Sequence, residues 1–434
     1  MNEIKEIYDE YLKERIYFAT HKSGLRIIFV PKKFTSYYAL LGVRYGSVDS
    51  LFKCDDESDY VKVPDGIAHY LEHKMFENED GSDAFVAFSR FGASANAFTT
   101  HNLTAYLFSC TSNFEESLSE LIRFVRAPYF TQENVEKERG IICEEIEMYE
   151  DDPYSSLHYG MLELLYVNNP VKINVAGTVK TVGEISPQHL YRCYNAFYTL
   201  DNMVLSVSGD TDINTILSVC DRMLEEDSKR CTAESARIIE PDAVKEKRGA
   251  ISKPVSNPLF CIGLKDNVAL EPKERLKRSI AGAILMDMLF GSSSDYFSKL
   301  YNEGTVSSMS CGYDSMINYA FGYIIGESVD CEKVYNEFRV TASNAVTSGL
   351  LASDFERIKK VTLSNFVKTF DSTESIATEA LYMELEGVGI DNYASIIHEI
   401  DLEYVSSLAN ELLSEERAAM MTVIPSKNQE EENA

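Results

Sequence analysis

Positive charge is scarce in this chain of 434 residues, in which 41 Lys and Arg are outnumbered by 69 Asp and Glu. The formal net charge is −28 at pH 7. A surface this acidic repels phosphate groups, which argues against nucleic acids and anionic membrane surfaces as ligands. The charge favours cationic ligands instead.

Long apolar runs are also absent. No stretch of about twenty apolar residues is present that could span a bilayer, so the sequence predicts no membrane helix. The amino-terminal stretch MNEIKEIYDEYLKER is charged from its second turn onward and lacks the apolar segment typical of a secretory signal. We therefore expect a cytoplasmic protein.

Cysteine pairs are missing as well. The nine cysteines are spread singly along the chain, and none forms a CxxC pair. Their number is odd, and a chain of this length does not need disulfides to stabilise its core. Free thiols in a reducing cytoplasm are therefore the prediction.

The composition is that of a globular protein, with 45% hydrophobic and 25% charged residues. The length exceeds what one small core requires, so two domains are expected. Residues 225–254 are polar and charged, which places the predicted boundary there and gives domains 1–230 and 231–434. Strand pairs and helix pairs are predicted on both sides of it, which indicates two copies of one α+β unit.

Only seven histidines occur, yet His69 and His73 stand four apart in the sequence HYLEH. A helix is predicted here, from Asp65 as its cap to about Glu77. Residues three or four apart share one helix face, and two imidazoles placed this way can bind one zinc ion. Glu72 would lie beside the metal and accept a proton from its bound water. The alternative is an exposed helix face that carries an incidental histidine pair.

A catalytic zinc site with two histidines needs a third protein ligand. A predicted long helix offers the candidates Glu136, Glu138, Glu144, Glu145, Glu147 and Glu150. Glu138 and Glu145 lie within about 20° of a common face, whereas Glu144 is rotated by about 100°. Ile142 and Met148 lie on or near that face, which indicates partial burial, and a buried carboxylate requires a partner such as a metal. The alternative is that all these glutamates cover an exposed helix.

These motifs resemble a known family. HxxEH, followed about seventy residues later by R-x-x-I-x-x-E, is similar to the inverzincins of the pitrilysin/insulinase family, which includes the mitochondrial processing peptidases. The pattern is most similar to the bacterial YmfH-like subgroup. Further stretches match landmarks of the family: Gly46-Ser47, Gly66 to His73, Gly92 to Thr99, Gly177-Thr178, and Phe197-Tyr198 with Asn202-Met203. The resemblance implies two homologous α/β domains, each an antiparallel-rich sheet with helices packed on one side.

The resemblance also implies site residues by position. His69, His73 and Glu145 fall where the family binds one zinc ion per chain. Glu72 falls at the general base, and Glu138 where the family has a carboxylate that supports a metal ligand from behind. The implied activity is that of a zinc endopeptidase that hydrolyses small unfolded peptides inside an enclosed chamber.

The segment ASANAFT resembles the edge strand along which this family binds its substrate. It implies that a peptide adds to the sheet as an extra strand, through main-chain hydrogen bonds that do not depend on its sequence. Asn96, Ala97 and Phe98 are then candidate peptide contacts. The alternative is an ordinary strand near the core.

The second half departs from the family's pattern. Active members carry an Arg and a Tyr that help to hold the scissile carbonyl and its oxyanion, but here Tyr301 and Ser307 stand at those positions. The counterpart of the zinc helix, residues 280–290, contains no histidine. Because the family builds each active site from two halves, the resemblance implies a heterodimer in which a homologous metal-free chain supplies the Arg and Tyr. A homodimer is the alternative.

Two other functions compete with the peptidase. Relatives in respiratory complexes are non-catalytic structural subunits, but their zinc motifs are degenerate, whereas the motif residues are intact here. A metal-dependent peptide-binding or maturation subunit with vestigial hydrolysis is favoured by the missing Arg and Tyr.

Overall fold

The computed structural model describes residues 3–224, 231–268 and 271–426. Within them the chain forms two compact units, neither of which is continuous in sequence. Unit 1 comprises the described parts of 1–146, 174–237 and 365–394, and unit 2 those of 147–173, 238–364 and 395–434. These units differ from the predicted division mainly at residues 147–173 and 365–394. The division into two homologous domains, 1–230 and 231–434, stays a prediction.

Helices and strands alternate through both units. The strands are β1 (Glu3–Asp9), β2 (Glu14–Thr20), β3 (Arg26–Pro31), β4 (Tyr37–Val43), β5 (Leu51–Cys54), β6 (Val61–Lys62), β7 (Ser94–Thr99), β8 (Thr104–Cys110), β9 (Met203–Gly209), β10 (Ala233–Ser235), β11 (Arg248–Lys253), β12 (Leu259–Asp266), β13 (Val306–Ser315), β14 (Ala320–Ser328) and β15 (Ala418–Pro425). The helices are α1 (Ile67–Lys74), α2 (Ala84–Phe91), α3 (Phe114–Val125), α4 (Gln132–Asp151), α5 (Pro153–Leu165), α6 (Val179–Gly183), α7 (Pro187–Phe197), α8 (Ile213–Met223), α9 (Pro272–Phe290), α10 (Asp295–Asn302), α11 (Cys331–Ser348), α12 (Ala352–Thr369), α13 (Thr373–Leu385), α14 (Tyr393–Glu399) and α15 (Leu402–Leu412). Within the described ranges, none of these helices combines the length and the apolar composition that crossing a membrane requires.

Unit 1 is built on a seven-stranded sheet in the order β1-β2-β3-β9-β4-β8-β7. β3 and β9 run parallel, and the other neighbouring strands are antiparallel. The predicted α+β class with an antiparallel-rich sheet is therefore confirmed. The central strand β9 is buried along its whole length, as expected of a strand covered on both faces.

Helices cover both faces of this sheet. One face packs against α1, α2, α3, α7 and α8 in a continuous apolar core. The other face receives α13, which packs on β9 and β4. A Cβ atom at Gly42 would lie 2.6 Å from Cδ1 of Leu381, so a glycine in β4 allows this close approach. The late segment 365–394 therefore completes the first sheet, which explains why unit 1 is discontinuous.

The amino terminus corrects one expectation. The sequence indicates a first strand at 25–30, but β1 and β2 precede it as an antiparallel hairpin that pairs Glu3 with Thr20 and Asp9 with Glu14. β1 is largely exposed. Its residues therefore lack the alternation of apolar and polar side chains that identifies a half-buried strand.

Unit 2 contains a five-stranded sheet in the order β11-β15-β12-β14-β13, in which only β11 and β15 run parallel. Helix α5 packs on β12 and β15. A Cβ atom at Gly263 would lie 2.5 Å from the sulfur of Met161, which shows how closely α5 approaches the sheet. Helix α9 packs against β13 and β14 and, as expected, carries no histidine.

The two positions that depart from the family's pattern both lie in unit 2, at its surface. The Tyr301 side chain, in α10, is 55% exposed. Ser307, in β13, is exposed where the register between β13 and β14 shifts. Neither residue therefore has a packing role in the core of unit 2.

The cysteines correct a second expectation. Cys54, at the end of β5, is disulfide-bonded to Cys231, with the two Cα atoms 5.7 Å apart. β10 starts two residues after Cys231 and pairs with β5 in a small sheet that also contains β6. The pair could not be identified from spacing because the two cysteines are separated by 177 positions. The disulfide does not support the predicted cytoplasmic location, because disulfides are rare in a reducing cytoplasm. That location stays a prediction.

We predict that the chain, denatured without reductant, contains the seven free thiols described by the structure and gains two more after reduction. Cys231→Ser should lower the free energy of unfolding by about 2–4 kcal/mol, because the cross-link restricts the unfolded chain. Cys331→Ser, which removes a free thiol, is the matched control and should have little effect. Nine thiols before reduction would contradict the disulfide.

Candidate metal centre

Helix α1 begins where two glycines approach each other's backbone. Gly66, its N-cap, has a φ of 92°, in the left-handed region that favours glycine. A Cβ atom at Gly66 would lie 2.4 Å from the carbonyl oxygen of Ala176, and one at Gly177 would lie 2.5 Å from that of Asp65. These contacts fix the start of α1. Asp65 is not the cap that the sequence predicts, because α1 begins at Ile67 and Gly66 is its N-cap. The Asp65 carboxylate accepts a hydrogen bond from Lys62 at 2.6 Å instead.

The HxxEH motif lies on this helix and is buried. α1 ends at Lys74, one turn before the predicted end. His69 and Glu72 are each 8% exposed, and the rings of His69 and His73 lie 4.6 Å apart. The spacing therefore predicted correctly that both imidazoles share one face. The alternative of an exposed helix face is wrong.

Helix α4 supplies the carboxylates that face α1. The Tyr70 hydroxyl on α1 donates a hydrogen bond to the carbonyl oxygen of Val135 on α4, which joins the two helices. Ile142 and Ile146 anchor α4 in the core. Met148, however, is 58% exposed, so its predicted place on the buried stripe is wrong. The buried stripe ends at Ile146, before the helix continues past the core.

Glu138 and Glu145 are the two of the six candidate glutamates on α4 that approach the histidines. The other four are exposed: Glu136, Glu144, Glu147 and Glu150. Arg139, the first residue of the R-x-x-I-x-x-E motif, donates to the carbonyl oxygen of Ile185 at 3.0 Å. That arginine therefore holds α4 in place rather than contributing a ligand.

Three potential ligand atoms converge between α1 and α4. Nε2 of His69 lies 3.6 Å from one carboxylate oxygen of Glu145, and Nε2 of His73 lies 3.4 Å from the other. One ligand atom from each residue lies within 4.8 Å of the other two. Tetrahedral ligands at ordinary zinc distances are separated by about 3.3 Å. The donor types and their spacing thus fit one zinc ion with a fourth position left for water.

Glu138 orients His73. Its Oε1 lies 3.1 Å from Nδ1 of that ring, which directs Nε2 toward Glu145. Burial opposes a positive charge on His73, but its hydrogen bonds to Glu138 and Glu145 outweigh burial and raise its pKa to about 9. The bond to His73 in turn lowers the pKa of Glu138. Because a metal binds the neutral imidazole, zinc would displace the His73 proton.

Two features around this pair were missed in the sequence. Lys74 is completely buried, pairs with Glu77, and places its ammonium 3.8 Å from Glu138, which helps to keep that carboxylate ionised. Nδ1 of His69 is buried and has no hydrogen-bond partner among the described residues. The two histidines are therefore supported differently, and only His73 has a carboxylate behind it.

Glu72 is held by a residue that sequence analysis did not single out. The Thr99 hydroxyl, at the end of β7, donates to Oε2 of Glu72 at 2.6 Å. Burial raises the pKa of Glu72, and the bond from Thr99 partly offsets that shift. The sequence signal for this contact was the threonine that ends the edge-strand motif. Only the fold shows that this threonine reaches α1.

β7 lies at the edge of the unit 1 sheet, as predicted. Asn96 and Ala97 are in register with Leu107 and Tyr106 of β8. The Ala97 N–H donates to the side-chain oxygen of Asn96 at 2.9 Å, so this N–H points to the open edge rather than into the ladder with β8. Phe98 is partly buried. An outward-pointing backbone donor, bonded to the Asn96 side chain, is therefore present along the strand that was expected to bind peptides.

Residues 58–179 match the insulinase family (peptidase family M16), and residues 184–362 match the inactive domain of peptidase M16. The chain is 36% identical over 433 residues to the uncharacterized zinc protease YmfH of Bacillus subtilis (strain 168), covering 97% of this chain and 99% of that protein. Its fold superposes with a TM-score of 0.91 on an M16-like peptidase from Alicyclobacillus acidocaldarius, at 30% identity, covering 95% and 99% of the two chains. A protease from Helicobacter pylori shares the fold, with a TM-score of 0.80 at 18% identity over 98% and 100%.

We predict that zinc binding at about pH 8 releases about one proton from His73 in the wild type, because this pH lies below a pKa of about 9. Glu138→Gln should release less, since that carboxylate is one of the groups that raise the pKa of His73. Glu144→Gln, an exposed position on the same helix, is the matched control and should resemble the wild type. The readout is the dependence of the binding enthalpy on the ionisation enthalpy of the buffer. Equal proton release in all three chains would contradict the assignment of Glu138.

Proposed function

This chain belongs to the insulinase family of peptidases (family M16), and from that premise we propose that it is a zinc-dependent endopeptidase. The observation that carries the proposal is the convergence of His69, His73 and Glu145 within 4.8 Å of one another. The buried carboxylate of Glu72, on the same helix as both histidines, adds a base beside that cluster. A relative that matches 97% of this chain is named a zinc protease, which supports zinc as the metal.

Zinc bound by these three residues would acidify a water molecule and polarise the scissile carbonyl. Glu72 is the proposed general base. Because Thr99 occupies its Oε2, Oε1 is the atom that takes a proton from the attacking water and delivers it to the leaving amine. Burial raises the pKa of Glu72, which strengthens it as a base.

The peptide is proposed to bind along β7. The outward N–H of Ala97 can donate to a peptide carbonyl once the Asn96 side chain rotates away from it. Main-chain bonds of this kind do not select a sequence but require an extended, unfolded segment. Substrates are therefore small unfolded peptides, with Asn96, Ala97 and Phe98 as their contacts.

A second chain is proposed to complete the active site. Tyr301 and Ser307 replace the Arg and Tyr that active relatives are expected to use, so this chain cannot supply that pair of groups. Losing even one oxyanion donor typically costs about 10²–10³ in rate. A homologous chain without the zinc motif would supply both groups and close the chamber around the peptide. A homodimer would lack them.

Tyr301 and Ser307 also favour a second candidate function. A chain that binds zinc and peptides without turnover would act as a peptide-binding or maturation subunit. Such a subunit would not need Glu72 as a base, so substitution of that residue separates the two functions.

We predict that Glu72→Gln lowers kcat/KM for peptide hydrolysis by about 10²–10⁴, because the general base is lost. Zinc content should stay at one ion per chain, since Glu72 is not among the three clustered ligands. Glu144→Gln, on the exposed side of α4, should retain wild-type activity. A Glu72→Gln chain that hydrolyses peptides as fast as the wild type would refute the peptidase proposal.

We also predict that the isolated chain is slow. Mixing it with a homologous chain that lacks HxxEH but carries the Arg and Tyr should raise kcat/KM by at least about 100-fold. A partner whose Tyr is replaced by Phe is the control and should give less stimulation. An isolated chain that matches the mixture would contradict the need for a partner.

A further inference from the structure

A second threonine lies beside the one that holds Glu72. Thr99 on β7 and Thr104 on β8 form a directly opposed pair in the register of these two strands. Side chains of such a pair lie on the same face of the sheet, and Thr99 reaches Glu72 on α1 from that face. The two threonine hydroxyl oxygens are 3.4 Å apart. Thr104 therefore lies directly behind the donor of the hydrogen bond to Glu72.

The hydroxyl protons of these threonines can be assigned. An ionised carboxylate only accepts hydrogen bonds, so the single hydroxyl proton of Thr99 goes to Oε2 of Glu72. The Thr104 hydroxyl donates to the carbonyl oxygen of Tyr45 at 3.0 Å, with the Thr99 oxygen as a second, more distant acceptor. Hydrogen bonds in such a chain polarise one another, so the contact with Thr104 strengthens Thr99 as a donor. Thr104 thereby fixes the place of the Thr99 hydroxyl and the direction of its proton.

Two tyrosines shield Thr104 from solvent. Tyr106 follows Thr104 by two positions on β8 and so lies on the same face, and its hydroxyl is 2.8 Å from that of Tyr198. Thr104 and both tyrosines are fully buried. Burial raises the pKa of Tyr198, and hydrogen bonds to Tyr106 and Thr104 partly offset that rise. The negative charge of Glu72 raises this pKa further, so the Tyr198 hydroxyl lies close to that carboxylate.

We propose that Thr104 is a positioning residue for the general base and acts through Thr99. This inference rests on the proposed function, because it concerns how Glu72 is held during hydrolysis. A carboxylate whose Oε2 is bound to Thr99 keeps its orientation, which leaves Oε1 for the attacking water. Loss of the hydroxyl behind Thr99 would loosen that donor and let the carboxylate move. Tyr198 supports Thr104 in the same way, one hydrogen bond further from the base.

The test is a double-mutant cycle on peptide hydrolysis by the active chain, with its partner if one is required. Thr99→Val should lower kcat by about 10–100-fold and change KM by less than about twofold, because the base is misplaced while the peptide still binds. Thr104→Val should lower kcat by about two- to tenfold, the range expected of one hydrogen bond. In the Thr99→Val chain, Thr104→Val should have no further effect, since it acts through the Thr99 hydroxyl. Thr99→Ser keeps that hydroxyl and should restore most of kcat.

Two control variants separate positioning from general damage to the core. Ser206→Ala removes another buried hydroxyl of the unit 1 sheet, which donates to a carbonyl oxygen of α13 at 2.7 Å. Tyr194→Phe removes a buried tyrosine hydroxyl that donates to a carbonyl oxygen of α3 at 3.0 Å. Both controls should keep wild-type kcat, whereas Tyr198→Phe should lower it by about two- to tenfold. Zinc content and thermal unfolding of each variant establish that it is folded and loaded with metal.

Three kinetic outcomes would overturn the inference. The first is a Thr104→Val chain with wild-type kcat. The second is the same loss from Thr104→Val in the wild type and in the Thr99→Val chain, because Thr104 would then act independently of Thr99. The third is a loss in Ser206→Ala as large as that in Thr104→Val, which would show a general structural defect.

Crystal structures of the zinc-loaded wild type and Thr104→Val chains separate failure of this inference from failure of the proposed function. If the wild type does not cleave peptides, the proposed function fails, and the position of Glu72 still decides the inference. A Glu72 carboxylate that stays bonded to Thr99 in the Thr104→Val chain would overturn it, and one that leaves Thr99 would support it. Peptide cleavage that Thr104→Val does not affect would overturn the inference alone.

Discussion

The contact between Glu145 on α4 and the two histidines on α1 is the constraint on which the account depends. The Glu145 carboxylate lies within 3.6 Å of both imidazoles, where the proton of His73 compensates its charge and a divalent ion would take the place of that proton. Neighbouring contacts hold this arrangement in place. Gly66 fixes the start of α1 through its approach to Ala176, and the Tyr70 hydroxyl joins α1 to α4.

Much of this site could be predicted because its geometry is local. Positions four apart on a helix share a face whatever surrounds the helix, so His69 and His73 could be paired from their spacing alone. The same argument favoured Glu145 over Glu144, and the structure exposes the latter. The edge position of the ASANAFT strand also agrees with the structure, but that expectation came from the family resemblance rather than from local spacing.

The features that could not be predicted all depend on contacts between distant parts of the chain. Thr99, at the end of β7, donates a hydrogen bond to Glu72 on α1. Cys54 is disulfide-bonded to Cys231, which lies 177 positions away in the sequence. The sequence pattern does not predict β1, because both faces of this strand are largely exposed and its apolar and polar residues therefore do not alternate. α5, from the first half of the chain, packs on the sheet of unit 2, and α13, from the second half, packs on the sheet of unit 1. Neither helix carries a sequence signal for this arrangement, because an apolar helix face does not indicate which sheet it packs against. Tyr382 consequently meets Phe98 although almost three hundred residues separate them.

The central claim is that one zinc ion lies between α1 and α4. The most direct test is an anomalous difference map, recorded on both sides of the zinc absorption edge, from a crystal of the full chain grown with zinc. One strong peak per chain is expected within bonding distance of His69, His73 and Glu145. A zinc-loaded crystal with no peak there, or with its peak at other side chains, would contradict it.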